Sequence, residues 1–298
     1  MTDPTDWLPP STIEPVHGRR AWRAAEPLHG MIYFVPEAHE RYAALGIDPA
    51  AGYFASRSAP MGPVGAGAVA GAFFNFNPAL VARALPAVWE TTTPQAVLAA
   101  RREGAVAALT RALGDRVDSA EMREAADLAR RAAESATAYP EGRVLFAAHA
   151  TLTWPDEPLP VLWHAQTLLR EFRGDGHLAA LLMAGLTGLE ALILHTATGE
   201  VPAKFLRRSR GWSDEQWSAA VEGLRKRGLI EGDEPALSDS GRAQRAWVEA
   251  TTDRLAVPAY TVLGVEGCAR LAELTRPMSR AVVDAGLLDP TKAILAKS

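Results

Sequence analysis

Between residues 199 and 254 the turn and capping residues leave the chain few choices of local structure. Ser213, with Gln216 three positions later, has the spacing of a reciprocal N-terminal cap, and Gly228 stops the run that begins there. Between them Trp217, Val221 and Leu224 stand at i, i+4 and i+7, one face of a helix over Asp214–Arg227. Upstream, Pro202–Arg208 reads as a short helix and Gly211 as the turn after it. Downstream, Leu229-Ile230 begins a strand, the acidic stretch Glu231–Pro235 turns it, and Ala236-Leu237-Ser238 brings it back. Asp239-Ser240-Gly241-Arg242 then opens a helix to about Leu255.

Helix, turn, helix, hairpin and helix in that order spell a winged helix. The run Leu224-x-x-Arg227-Gly228-Leu229-Ile230, followed by Leu237-Ser238-Asp239-Ser240-Gly241-Arg242, resembles the MarR family and its actinobacterial relatives. The whole chain also resembles a group of actinobacterial helix-turn-helix proteins. The likeness lies in His29-Gly30-x-x-Tyr33-Phe34, Tyr53-Phe54-Ala55-x-Arg57 and Arg170-Glu171-x-Arg173-Gly174-Asp175-Gly176-His177.

The resemblance implies DNA binding, and the charges oppose it. In a reader of this kind the start of the second helix enters the major groove; here it begins Ser213-Asp214-Glu215-Gln216, and the wing tip is Glu231-Gly232-Asp233-Glu234. Carboxylates in those places repel phosphates. The net charge of −4 adds no basic surplus. Lys204, Arg207, Arg208 and Arg210 remain the residues that DNA would meet, with Arg225, Lys226 and Arg227 behind them.

An internal repeat suggests a duplication. Phe54-x-x-Arg57-Ser58 returns as Phe205-x-x-Arg208-Ser209, Ala68-Val69-x-Gly71 as Ala220-Val221-x-Gly223, and Leu80-Val81 as Leu229-Ile230, at offsets of 151, 152 and 149. The resulting expectation is a mostly α chain with small β-wings, a tandem winged-helix pseudo-dimer. It would comprise an irregular arm over 1–20, a first half with a helical extension over 21–153, and a MarR-like half over 154–298. The equivalent stretch of the first half, Gly62–Asn77, carries no charge, so a two-headed DNA clamp is not expected.

Elsewhere the sequence favours helix. A helix is expected from about Ala21 to Leu45, with Pro27 and Pro36 as points of breakage. Thr93-Pro94 and Ser119 read as caps of Ala-rich helices, and Ala66–Phe74 as a further helix. Val161, Ala165, Leu168, Leu169 and Phe172 form an apolar stripe, with Gly174-Asp175-Gly176 as its stop. Leu178–Ala197 is apolar but contains Glu190 and His195, which suits a buried helix better than a membrane span. Met1–Arg23 has no secretory h-region, so a cytoplasmic chain is expected, without membrane partners, as a monomer or homodimer. Cys268, the single cysteine, reads as a small buried residue.

Phosphate loops, dinucleotide fingerprints, zinc helices and nucleophile elbows do not occur, and no cofactor is expected. Metal binding by His29, His164 and His177 has no spacing motif behind it. Two polar groups stand out: His29, Tyr33 and Glu37 at i, i+4 and i+8, together with Arg57; and His164, Arg170, Glu171 and His177. Polar groups among apolar neighbours suit a small-molecule pocket. The leading expectation is a ligand sensor or sequestering protein with a pocket for a small organic ligand between the halves. A MarR-like transcriptional regulator is the alternative, and an enzyme with His/Glu acid–base residues and an Arg anion clamp a third.

Overall fold

The computed structural model describes residues 11–289. Its helices are α1 (Pro15–Gly30), α2 (Pro36–Ala44), α3 (Pro49–Ser58), α4 (Ala66–Phe73), α5 (Pro78–Val81), α6 (Val88–Thr91), α7 (Pro94–Leu113), α8 (Ala120–Ala136), α9 (Val144–Ala150) and α10 (Pro158–Met183). They continue as α11 (Gly188–Thr196), α12 (Ala203–Ser209), α13 (Asp214–Lys226), α14 (Asp239–Ala256) and α15 (Gly264–Asp284). Strands β1 (Ile230–Glu231) and β2 (Ala236–Leu237) pair antiparallel, Ile230 opposite Leu237. Among the described residues no single helix is long and apolar enough to cross a membrane.

The caps work as their chemistry demands. Thr93 accepts from the Ala96 amide at 3.2 Å and Ser119 from that of Met122 at 3.0 Å. Ser213 and Gln216 cap each other's backbone, starting α13, whose Trp217, Val221 and Leu224 are buried. The hairpin follows, held by Arg225, which donates to the carbonyls of Gly232 (2.7 Å) and Asp233 (2.9 Å).

Two apolar cores result. The larger takes side chains from Ile13 to Phe172 and from Val257 to Leu287; α15 lies along α1 and α8, closing that body with the far end of the chain. Cys268 is buried there. The smaller core runs from Ala180 to Val248 and belongs to α11, α12, α13, the hairpin and parts of α10 and α14. The cores therefore follow a different line from the division at 153/154. Among the described residues there is one hairpin, in the second half. After α4 the chain turns through Phe74 into the four-residue helix α5, with no strand.

Two local expectations need correcting. Gly174-Asp175-Gly176 does not stop a helix, because α10 runs through it. Asp175 accepts the Phe146 amide at 2.9 Å, and a Cβ on Gly176 would stand 2.9 Å from Nη1 of Arg143, so these residues serve close packing. The apolar stretch 178–197 is not continuous either. Gly185, at φ +66°, ends α10, and Thr187 with Glu190 forms a capping box that restarts the chain as α11, bent by 97°.

That bend brings α11 onto the turn after α4. A Cβ on Gly188 would lie 2.0 Å from the Phe74 carbonyl oxygen and 2.9 Å from the Asn75 Cα. Backbone cannot yield as a flexible side chain does, so Gly188→Ala should cost about 3 kcal/mol. Urea unfolding measures this; a loss under about 0.5 kcal/mol, the usual scatter of neutral surface changes, would show that α11 does not dock there.

Candidate functional site

The polar side chains of α10 between residues 167 and 175 tie it to neighbouring helices. Glu171, 2% exposed, accepts from Nη2 of Arg57 on α3 at 2.9 and 3.2 Å. Arg170 reaches Glu26 of α1 at 3.3 Å, and Arg173 reaches Asp253 of α14 at 2.6 Å. Burial would push Glu171 up; Arg57 above all, with His149 and Arg170, outweighs it and holds the carboxyl down at about 2. Arg57 also lies 4.3 Å over the Phe73 ring, within a cluster of Tyr53, Phe54, Phe73 and Phe76.

His29 is fully buried beside this pair. The Thr167 hydroxyl donates to the Trp163 carbonyl at 3.0 Å, so it accepts from Nδ1–H of His29 at 3.0 Å. Nε2 of His29 then accepts the Tyr33 phenol at 3.1 Å. Burial, then Arg170, Arg101 and Arg57, keep His29 neutral by lowering it well below the usual imidazole range. Burial opposes ionisation of Tyr33, yet Arg170, Arg57 and Arg101 outweigh it and lower the phenol.

Arg101 is 2% exposed and has no carboxylate at ion-pair distance among the described residues. Its Nη1 donates to Ser56 at 3.2 Å, Nη2 has no partner, and its guanidinium carbon lies 5.4 and 5.6 Å from the rings of Trp163 and Tyr33. Arg101, Arg102, His149, Trp163, His164 and Thr167 line a cavity of about 250 Å³, along with apolar residues such as Leu98 and Leu152; no Asp or Glu faces it.

The structure thus gathers His29, Tyr33, Arg57, Arg170 and Glu171 from the expected site residues. Glu37 is not with them: α1 ends at Gly30, a new helix starts at Pro36, and Glu37 pairs with Arg111 at 2.6 Å. His164 faces the cavity with Trp154 edge-on at 4.7 Å, committed apart from Glu171. His177 hydrogen-bonds Thr252 at 2.9 Å near the smaller core, so His29, His164 and His177 do not converge.

On the helix-turn-helix face, Lys204 and Arg208 are exposed. Arg207 is bound to Asp214, and Arg210 turns inward, 4.6 Å over the Phe76 ring. The turn between α12 and α13 is strapped to the body. Trp212 Nε1 donates to the Asn75 carbonyl (3.0 Å), the Asn77 amide to that of Arg210 (2.9 Å), and Nδ2 of Asn77 to that of Gly211 (2.9 Å).

The profile of a helix-turn-helix family matches residues 18–289. The chain belongs to that helix-turn-helix family. No curated protein and no solved structure matches it significantly.

Sequence reasoning about this helix-turn-helix protein passed over Arg101, Glu26 and His149. For Arg101 a signal existed: it falls on the buried stripe of α7 with Val97, Gly104, Ala105 and Ala108, where a cation needs a reason. Glu26 acquires its partner, Arg170, only through tertiary packing, and His149 bonds within its own helix to the Leu145 carbonyl, so neither has a sequence pattern that points to the cavity.

Burial lowers His149 and His164 to about 4, from an ordinary value of 6.5. Both are neutral in the fold, so the stability they contribute is complete above pH 6.5 and is lost as pH falls towards 4. Asp175 has the opposite sign: burial raises it to about 6, so its contribution grows as pH drops below that value. The two histidines outnumber it, and stability should fall from pH 6.5 to 4.5. His149→Gln, which keeps a donor for the Leu145 carbonyl, should flatten the slope by up to about 1.4 kcal/mol per pH unit. Denaturant melts across that range test this; an unchanged slope would mean that His149 takes up its proton in the fold.

Proposed function

We propose that the chain is a helix-turn-helix protein that binds a small organic anion in the cavity beside Arg101. The observation that carries this reading is a buried guanidinium without a carboxylate, on a wall that has two arginines and no acid. A buried charge is ordinarily paired, and one left unpaired marks where a partner of opposite charge is accommodated. Trp163, Leu98 and Leu152 add the apolar and aromatic surface that small-molecule sites use. Of the expected ligand residues only His164 lines this cavity, which lies on the larger core. The volume suits one ring with an acidic substituent, being larger than a cavity of about 150 Å³ that takes benzene.

Benzoate, with benzamide as its uncharged counterpart, probes the site by calorimetry. Arg101→Met should weaken benzoate at least tenfold while Arg101→Lys retains part of the affinity. Ala99→Leu, which fills the cavity, should abolish binding with melting temperature preserved. Equal affinity for acid and amide, or no response to either Arg101→Met or Ala99→Leu, would end the proposal.

The family match favours DNA binding as a second reading, and the geometry makes it weak. Asp214, Glu215 and Glu222 stand exposed on α13, and Arg225 is paired with Glu222. Lys204, Arg208 and Lys226 are left to meet phosphates, so log K against log salt on random duplex should have a slope no steeper than about −3 per chain. Lys204→Ala with Arg208→Ala should reduce it by about 2. A slope of about −6 per chain would promote DNA recognition to the principal function.

A further inference from the structure

A second cavity, of about 260 Å³, lies where α10, α11 and α14 meet the turn after α4. Leu178, Leu181, Leu192 and Leu194 supply most of its apolar wall, and Phe74-Asn75 closes one side. The polar residues on it are Asn75, whose buried Oδ1 has no partner, His177, His195, Arg245 and Glu249.

Their commitments are unequal. Glu249 already serves Arg173 at 3.4 Å and Arg19 at 3.7 Å. His177 donates through Nδ1 to Thr252, whose own hydroxyl proton goes to the Val248 carbonyl at 2.7 Å, leaving Nε2 as an acceptor. Arg245 has one contact, Nη2 to Nδ1 of His195 at 3.4 Å, and no carboxylate at ion-pair distance among the described residues. Burial, then Arg245, lowers His195, so that ring offers a lone pair and no charge. A half-buried guanidinium at the edge of a leucine-lined cavity therefore hydrogen-bonds a neutral imidazole, while the one carboxylate on that wall, Glu249, is held by Arg173 and Arg19.

We propose that this cavity is a binding site for a small monocarboxylic acid with a branched or cyclic hydrocarbon body. The guanidinium fork matches the planar carboxylate, and the leucines match the hydrocarbon. One unmet cation selects a monoanion over a phosphate dianion, because a second negative charge would remain uncompensated in an apolar wall. The site does not depend on the cavity beside Arg101, with which it shares no lining residue.

Calorimetry on the full chain tests it, with 4-methylpentanoate as probe and 4-methylpentanamide as control. The acid should bind at least tenfold more tightly than the amide. Arg245→Met should erase that preference, and Ala191→Leu, which extends a side chain into the cavity and keeps the guanidinium, should weaken the acid at least tenfold. If Arg245→Met fails to fold by its melting curve, Ala191→Leu decides. Acid and amide binding alike, or full affinity in Ala191→Leu, would overturn the proposal. Binding lost in Arg101→Met and kept in Ala191→Leu would place the acid in the other cavity and overturn it as well.

Discussion

A carboxylate buried to 2% exposure at the middle of α10 organises this molecule. Moving such a group out of water costs several kcal/mol, and only well-placed donors offset that. Arg57 does so through Nη2, which fixes α3 against α10 and places Tyr53 and Phe54. Removing either partner would leave the other charged and buried, a loss of about 3–5 kcal/mol, whereas exchanging both for apolar residues of similar volume is the smaller perturbation. The pair therefore specifies an arrangement more than it stabilises one. Arg170 with Glu26 and Arg173 with Asp253 repeat the device a turn apart, so the register of α10 against α1, α3 and α14 is set by charge as well as by leucine packing.

Local chemistry made part of this fold legible. Ser213 and Gln216 announce α13, Thr93 and Ser119 announce α7 and α8, and the buried stripe of α13 stands at helical spacing. Those features are short-range, and a residue and its cap are neighbours in sequence. Gly174 and Gly176 misled because glycine serves two purposes: it ends helices by adopting positive φ, and it admits close neighbours at ordinary helical angles. Arg143 packed against Gly176 selects the second use, and no local pattern contains that contact. Thr187 and Glu190 carried a capping signal inside an apolar run whose hydrophobicity concealed it.

The candidate site was less legible for the same reason. His29, Tyr33, Arg57, Arg170 and Glu171 were recognisable as polar residues in apolar surroundings, but their grouping depends on α1, α3 and α10 crossing. Glu37 was lost because α1 ends at Gly30 and a separate helix starts at Pro36, so no continuous helix aligns it with Tyr33. Arg101 was overlooked because arginine on an Ala-rich helix is usually a solvated residue. Its burial depends on Tyr33 and Trp163, which come from elements far away in sequence.

The same constraint reaches the helix-turn-helix. Phe73 lies under the guanidinium that Glu171 holds, and the next residue, Phe74, turns at φ 63° and ψ −51° with the Asn75 amide donating back to the Phe73 carbonyl at 2.7 Å. That γ-turn is of the strained hand, and such backbone persists only where its surroundings over-determine it. Gly188 packs against the Phe74 carbonyl, Trp212 donates to that of Asn75, and Phe76 carries Arg210 on its ring. These holds on Phe74, Asn75 and Phe76, with the two hydrogen bonds of Asn77, anchor α11 and the α12–α13 turn to the aromatic cluster, and through Arg57 to α10. Packed interiors shift between discrete arrangements rather than bending continuously. The turn before α13 therefore cannot change place alone: moving it means releasing the strained Phe74, withdrawing Arg210 from Phe76, or disturbing the ring beneath Arg57. In this chain residues 73–77 join the helix-turn-helix to the body by steric and hydrogen-bonding contact.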